Sequence, residues 1–75
     1  MHQRNDEGLA AAAGVARTMT GCLVSTATKL AGNAGYSLRI VEQDGQQLMV
    51  AMDWDPNRMN VRCRGDQVIE VESIG

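Results

Sequence analysis

The chain of 75 residues is short of the side chains that usually fill a protein interior. It has no Phe, one Tyr (Tyr36) and one Trp (Trp54), against nine Ala and five Met. A domain of this size buries a modest share of its surface, and small side chains thin the core further. Such a body has no room for a deep cleft around a large substrate. Clustered positive charge is missing too. Seven basic residues against nine acidic ones give a net charge of −2, and no basic stripe is present for nucleic acid. No apolar run approaches the ~20 residues of a membrane span. Gly8 to Ala16 is apolar, but Asp6 and Glu7 precede it where a signal peptide wants positive charge. Cysteine is scarce. Cys22 and Cys63 cannot build a zinc site alone, and His2 lies in a polar lead, so neither a metal nor another cofactor is expected. No Ser, Cys or acid pair stands near a general base, and the chain does not read as an enzyme.

What is present divides into an N-terminal extension, residues 1–19, and a single domain, residues 20–75. In the extension, Leu9, Ala12, Ala13 and Ala16 fall at helical spacing. That face is made of small groups and buries little, which suits a frayed extension, a small packing helix or an oligomerisation helix. A better helix follows, with Thr20 as N-cap and Leu23, Ala27, Leu30 and Ala31 along one stripe. Gly32-Asn33-Ala34-Gly35 stops it.

Strand signals occupy the rest. Leu38-Arg39-Ile40-Val41 is rich in β-branched residues, and Asp44-Gly45 is a turn. From Arg58 to Arg64 the alternation is complete: Met59, Val61 and Cys63 share one face, Arg58, Asn60, Arg62 and Arg64 the other. Gly65-Asp66 turns the chain, and Val68 to Glu72 returns as an antiparallel partner. The expected class is α+β, one main helix covering a face of a small sheet of short strands.

The stretch Gln46 to Asn57 fits this scheme least. It packs Leu48, Met49, Val50, Met52 and Trp54 into about a dozen residues. Asp53, Asp55 and Pro56 oppose a long paired strand, since Pro donates no ladder bond and Asp is depleted in strands. The residues alone leave two readings: a core strand, or an extended loop whose exposed Met and Trp form a binding surface.

Met52-Asp53-Trp54-Asp55-Pro56-Asn57-Arg58-Met59-Asn60-Val61 resembles the reactive loop and following strand of the potato inhibitor I type of serine-protease inhibitor. The likeness is nearest to that family's fungal and bacterial elastase-inhibitor branch. Gly21 to Ala27 (GCLVSTA) is similar to the family's helix start, and Val68 to Gly75 to its closing strand. The resemblance spans about residues 20–75. It implies an inhibitor that offers an extended loop, about residues 47–57, as a slowly cleaved substrate. Met52 would enter the specificity pocket and Met52-Asp53 would be the scissile bond. Val50 and Ala51 would lie on the non-primed side, Trp54 and Asp55 on the primed side. Arg58 would brace the loop through Asp53, helped by Asn60.

The implied partner is a subtilisin-, chymotrypsin- or elastase-like serine protease, and the implied location is extracellular or periplasmic. The chain departs from the family in having Asn60 where many members have a second bracing Arg, Ala51 where Thr is usual, and Ile74 where one branch has a Cys. The pairing of Cys22 and Cys63 stays open between two thiols and a disulfide. A binding module of the same fold, docking through Met52 and Trp54 without inhibiting, is the alternative function.

Overall fold

The computed structural model describes residues 14–75. The expectations for His2 and for the first part of the Ala-rich helix fall outside them. The elements are α1 (helical over residues 14–19), α2 (Val24–Asn33), β1 (Ser37–Gln43), β2 (Gln46–Gln47), β3 (Arg58–Arg64) and β4 (Gln67–Ile74). The two helices pack on a mixed sheet of order β2-β1-β3-β4. The inner pair β1–β3 is parallel, and both outer pairs are antiparallel. This is the α+β class that the sequence pattern implies.

The helix stop forms as the glycines dictate. Gly35 takes φ +87°, its N–H donates to the Gly32 carbonyl, and the Tyr36 N–H donates to the Ala31 carbonyl. These two bonds make a Schellman ending, which a Cβ at the left-handed position would strain. The helix start differs from expectation. Thr20 does not cap α2, because its hydroxyl donates back to the Ala16 carbonyl at the end of α1. Gly21 (φ +89°) then turns the chain along the edge of β4. There Gly21 N–H donates to the Val68 carbonyl (2.7 Å), Val68 N–H to the Cys22 carbonyl (2.9 Å) and Val24 N–H to the Asp66 carbonyl (2.7 Å). This edge pairing moves the N-cap to Leu23, which has no side-chain cap bond and is exposed rather than part of the apolar stripe.

The same pairing settles the cysteines. Cys63 lies opposite Val68 in the sheet, and Val68 is bonded to Cys22 on its other side. Two strand spacings, about 10 Å, therefore separate them, beyond the reach of a disulfide. Both are free thiols, Cys63 buried and Cys22 half-buried, and burial pushes the Cys63 thiol up.

The core is thin, as the composition implies. Its fully buried members are Met19, Ala27, Ala31, Met59, Val61, Cys63 and Val68. Ala27 and Ala31, one turn apart, present no bulk and let α2 settle into the core, closest to β1 and β4. Inward residues on β4 are Val68, Val71 and Ile74, opposite Cys63, Val61 and Met59. They are spaced by three rather than two, because a register shift inserts one extra residue between each pair.

Met19 is the last residue of the expected N-terminal extension. It anchors α1 in the same core as the rest, and it is not one of the small groups from which that helix was expected to be made. Met19→Ala removes a fully buried side chain and is expected to cost about 2–5 kcal/mol. Leu23→Ala, at a half-exposed position, is expected to cost less than about 1 kcal/mol. Urea unfolding followed by circular dichroism checks both, and a neutral Met19→Ala would detach α1 from the domain.

Candidate functional site

Parallel neighbours need a crossover of a dozen or so residues, usually a helix. Here a loop supplies it. After the Asp44-Gly45 turn, both residues at positive φ as a tight hairpin demands, Gln46 and Gln47 pair back onto β1. Residues 48–57 then return alongside β1 to the start of β3. Both loop ends are fixed on β1: Leu48 N–H donates to the Val41 carbonyl (2.9 Å), and Ser37 N–H donates to the Asn57 carbonyl (2.8 Å). Those anchors are roughly 14 Å apart along an ideal strand, whereas ten residues reach about 33 Å when extended. The surplus length bows the loop outward. Leu48 to Met52 therefore forms no strand, and the segment is a loop rather than a core strand.

Outside the bow stand the large apolar groups. Met49 and Met52 are fully exposed, Trp54 is 73% exposed and Leu48 43%. Ala51 and Asp53 are exposed, and Val50 and Asp55 are half-buried. The six loop residues singled out from sequence thus lie on one continuous segment, Val50 to Asp55.

Under the bow the contacts are polar. From the first residue of β3, Arg58 donates from Nη1 to Asp53 Oδ2 (3.2 Å) and from Nη2 to the Asp53 carbonyl (3.1 Å) and Oδ1 (3.3 Å). Its Nη2 also donates to the Gly75 carbonyl at 2.6 Å. The side chain is only 14% exposed, so these charge-assisted bonds are shielded from water on the arginine side. One donor, the buried Arg58 Nε, has no acceptor among the described residues. Gly75 closes the far side of the loop: its N–H donates to the Arg58 carbonyl (2.9 Å), and its carbonyl accepts from Asp55 N–H (3.2 Å). A Cβ there would lie 3.0 Å from Trp54 Cδ1 and 3.1 Å from Nε1, and Gly75 has φ +135°. Glycine at this position is what lets the indole lie against the backbone.

Among the described residues the Asn60 side chain makes no hydrogen bond to the loop. Its Oδ1 accepts from Arg39 Nε (2.9 Å), and its Nδ2 donates to Ser73 Oγ (3.1 Å). It is buried because these neighbours cover it. The second direct brace is Arg39, which the sequence reading left in its strand without a role. From β1, opposite Asn60, it donates from Nη1 to the Ala51 carbonyl (3.1 Å) and to Asp53 Oδ1 (3.4 Å). The two arginines thus hold backbone carbonyls on both sides of the Met52-Asp53 bond. The signal for Arg39 was present: Leu38 and Ile40 face the core, so Arg39 shares the face of Arg58 and Asn60 once β1 and β3 are neighbours.

No protein-family model matches the chain, and no curated protein or solved structure shows significant similarity to it. Among the described residues no cluster of His, Cys, Asp or Glu is arranged to hold a metal ion, and no helix is long and apolar enough to cross a membrane.

Arg39→Ala removes a hold on Ala51 while leaving the hydrophobic core intact. Where the fold persists, cleavage of the loop by an unrelated protease should quicken by roughly fivefold, the scale of one or two polar bonds, and the unfolding free energy should fall by about 1–3 kcal/mol because the buried Asn60 Oδ1 loses its donor. Arg58→Ala should accelerate it further. Equal cleavage of Arg39→Ala and the parent chain would remove Arg39 from the site. Acidity tests the same contact. The Arg58 guanidinium bonded to Asp53 holds its carboxyl below the ordinary carboxylate range. A depressed value means that the ionised form is the favoured partner. The brace is fully present above about pH 4, the unfolded value, and is lost as pH falls through the lower folded value. Amide exchange of the loop should be flat from neutral pH to about 5 after correction for intrinsic rates, and rise only in stronger acid.

Proposed function

We propose that the chain is a serine-protease inhibitor of the potato inhibitor I type that presents residues 47–57 as a slowly cleaved substrate. The observation that carries this reading is the division of labour at Met52-Asp53. Met52 projects fully into solvent, while Ala51 and Asp53 on either side are tied down by Arg39 and Arg58. A protease pocket would receive Met52 on a backbone already held in place, so little conformational entropy is lost on docking. If the bond were cut, Arg39 and Arg58 would keep the two new ends near each other. Ordered ends favour religation over release. An unbranched apolar side chain suits chymotrypsin-, elastase- and subtilisin-like pockets, whereas a trypsin pocket has a buried acid that wants Lys or Arg.

Trp54, lying over Gly75, offers a rigid aromatic contact on the primed side, with Val50 and Asp55 completing the contact strip. Aromatic anchors in a standard interface of roughly 800 Å² per partner are how small inhibitors reach high affinity. Arg39 also makes good the departure at Asn60, since it stands where a second arginine brace is needed. In this mechanism the chain catalyses nothing itself.

Titration of chymotrypsin, pancreatic elastase and subtilisin with the purified chain tests the reading. Inhibition of at least one at micromolar concentration or below is expected, with slow cleavage confined to Met52-Asp53. Met52→Lys should move inhibition toward trypsin by tenfold or more. If no enzyme in the panel is inhibited, the loop serves a non-inhibitory protein-binding module, the alternative function.

A further inference from the structure

The methionines of the described residues fall into two classes with nothing between. Met19 and Met59 are fully buried in the core, and Met49 and Met52 are fully exposed on the loop. Oxidants that reach a thioether only through solvent therefore meet the loop and spare the core. We propose that Met52, together with Met49, is a modification site for hydroperoxides, whose oxidation weakens the loop's binding to its partner while the fold stays intact. The consequence for binding rests on the inhibitor reading; the selectivity of oxidation does not.

The chemistry balances with one co-reactant. The sulfur lone pair attacks the outer oxygen of a hydroperoxide, an S–O bond forms and the O–O bond breaks. Sulfur is oxidised by two electrons. The peroxide is reduced to water or an alcohol, its outer hydroxyl proton passing to the departing oxygen. The product is a chiral, polar sulfoxide, which thiol-dependent reductases return to the thioether. An apolar specificity pocket has no partner for that new dipole, and an unpaired polar group in such a pocket weakens binding by roughly 10- to 100-fold.

Among the described residues, no hydrogen bond or ion pair that holds the loop uses either sulfur. The braces run from Arg39, Arg58 and Gly75 to carbonyls, to Asp53 and to the Asp55 N–H. Oxidation thus alters what the loop offers to a partner and leaves the loop's position unchanged. The thiol most open to competing attack is the half-buried Cys22, which donates to the Thr18 carbonyl.

The experiment treats the full chain with graded hydrogen peroxide, maps each methionine by peptide mass spectrometry and follows the fold by circular dichroism. Inhibition of the best protease in the panel is measured before treatment, after it, and after repair by both methionine sulfoxide reductases. Sulfoxide should appear on Met49 and Met52 well before Met19 or Met59, with an unchanged spectrum. The inhibition constant should rise at least tenfold and recover on repair. For Met52→Leu, the ratio of treated to untreated inhibition should stay within about threefold. The proposal fails if Met19 and Met59 oxidise as fast as the loop pair, or if full Met52 oxidation leaves inhibition unchanged. It also fails if Met52→Leu loses as much on treatment as the parent. An untreated chain that inhibits nothing rejects the inhibitor reading instead, and the oxidation map still reports whether the loop is the selective target.

Discussion

The Arg58 guanidinium is the contact on which the rest of the site depends. It sits where β3 begins, where the loop ends and where Gly75 follows β4, and it donates to acceptors from the loop and from Gly75. Being mostly buried, it is held by the sheet rather than by its own stiffness. An exposed ion pair contributes little, because water competes for both partners and two long side chains must be ordered. Here the arginine is already ordered by Gly75 and by its seat on β3. Asp53, exposed on its outer side, gains a partner that is fixed in advance.

A second layer transmits that order across the sheet. Arg39 on β1, Asn60 on β3 and Ser73 on β4 form a row of hydrogen bonds perpendicular to the strands. The row exists because β1 and β3 are parallel with Arg39 opposite Asn60, and because Asn60 lies opposite Ser73 in the antiparallel pair. A one-residue slip of either pairing would turn Arg39 or Ser73 to the helix side and break the row. The register shifts between Ile40 and Glu42 in β1 and between Asn60 and Val61 in the β3–β4 pair follow directly after the row. Below them, Arg62 gathers Glu42, Glu70 and Glu72 on the same open face.

Much of this was legible in the sequence wherever the signal is local. The seven-residue alternation of Arg58 to Arg64 fixed both faces of β3, Gly35 fixed the end of α2, and Asp44-Gly45 fixed the hairpin. The family resemblance of the Met52 to Val61 segment also implied a loop with an acid–arginine contact, and the structure brings Asp53 and Arg58 together. Contacts that join distant parts of the chain were not legible. Arg39 looks like any strand arginine until a parallel neighbour 21 residues away gives it Asn60. Met19 carries no local signal of its burial, since it becomes a core residue only by joining α2 and the sheet residues in one cluster. The stretch Val68 to Glu72 reads as an antiparallel partner strand, yet two inserted residues give the inward face of β4 a period of three. Pairing, not local pattern, decides each of these.

The shortage of aromatic side chains bears on how a small protein can hold a loop rigid. Packing the loop's own apolar side chains into the interior would order it, but would withdraw Met52 and Trp54 from any partner. It would also demand more space than a core spaced by Ala27 and Ala31 provides. Polar bonds to backbone carbonyls avoid both problems. They act on Ala51, Asp53 and Asp55 through main-chain atoms or a single carboxylate, whatever the neighbouring side chains are. The loop can therefore be held in shape while its apolar residues stay available to select the partner. In the proposed inhibitor, separating the groups that fix the backbone from those that would meet the partner places the site's rigidity in Arg39, Arg58 and Gly75, and its specificity in the exposed side chains of Met52 and Trp54, the indole lying against Gly75.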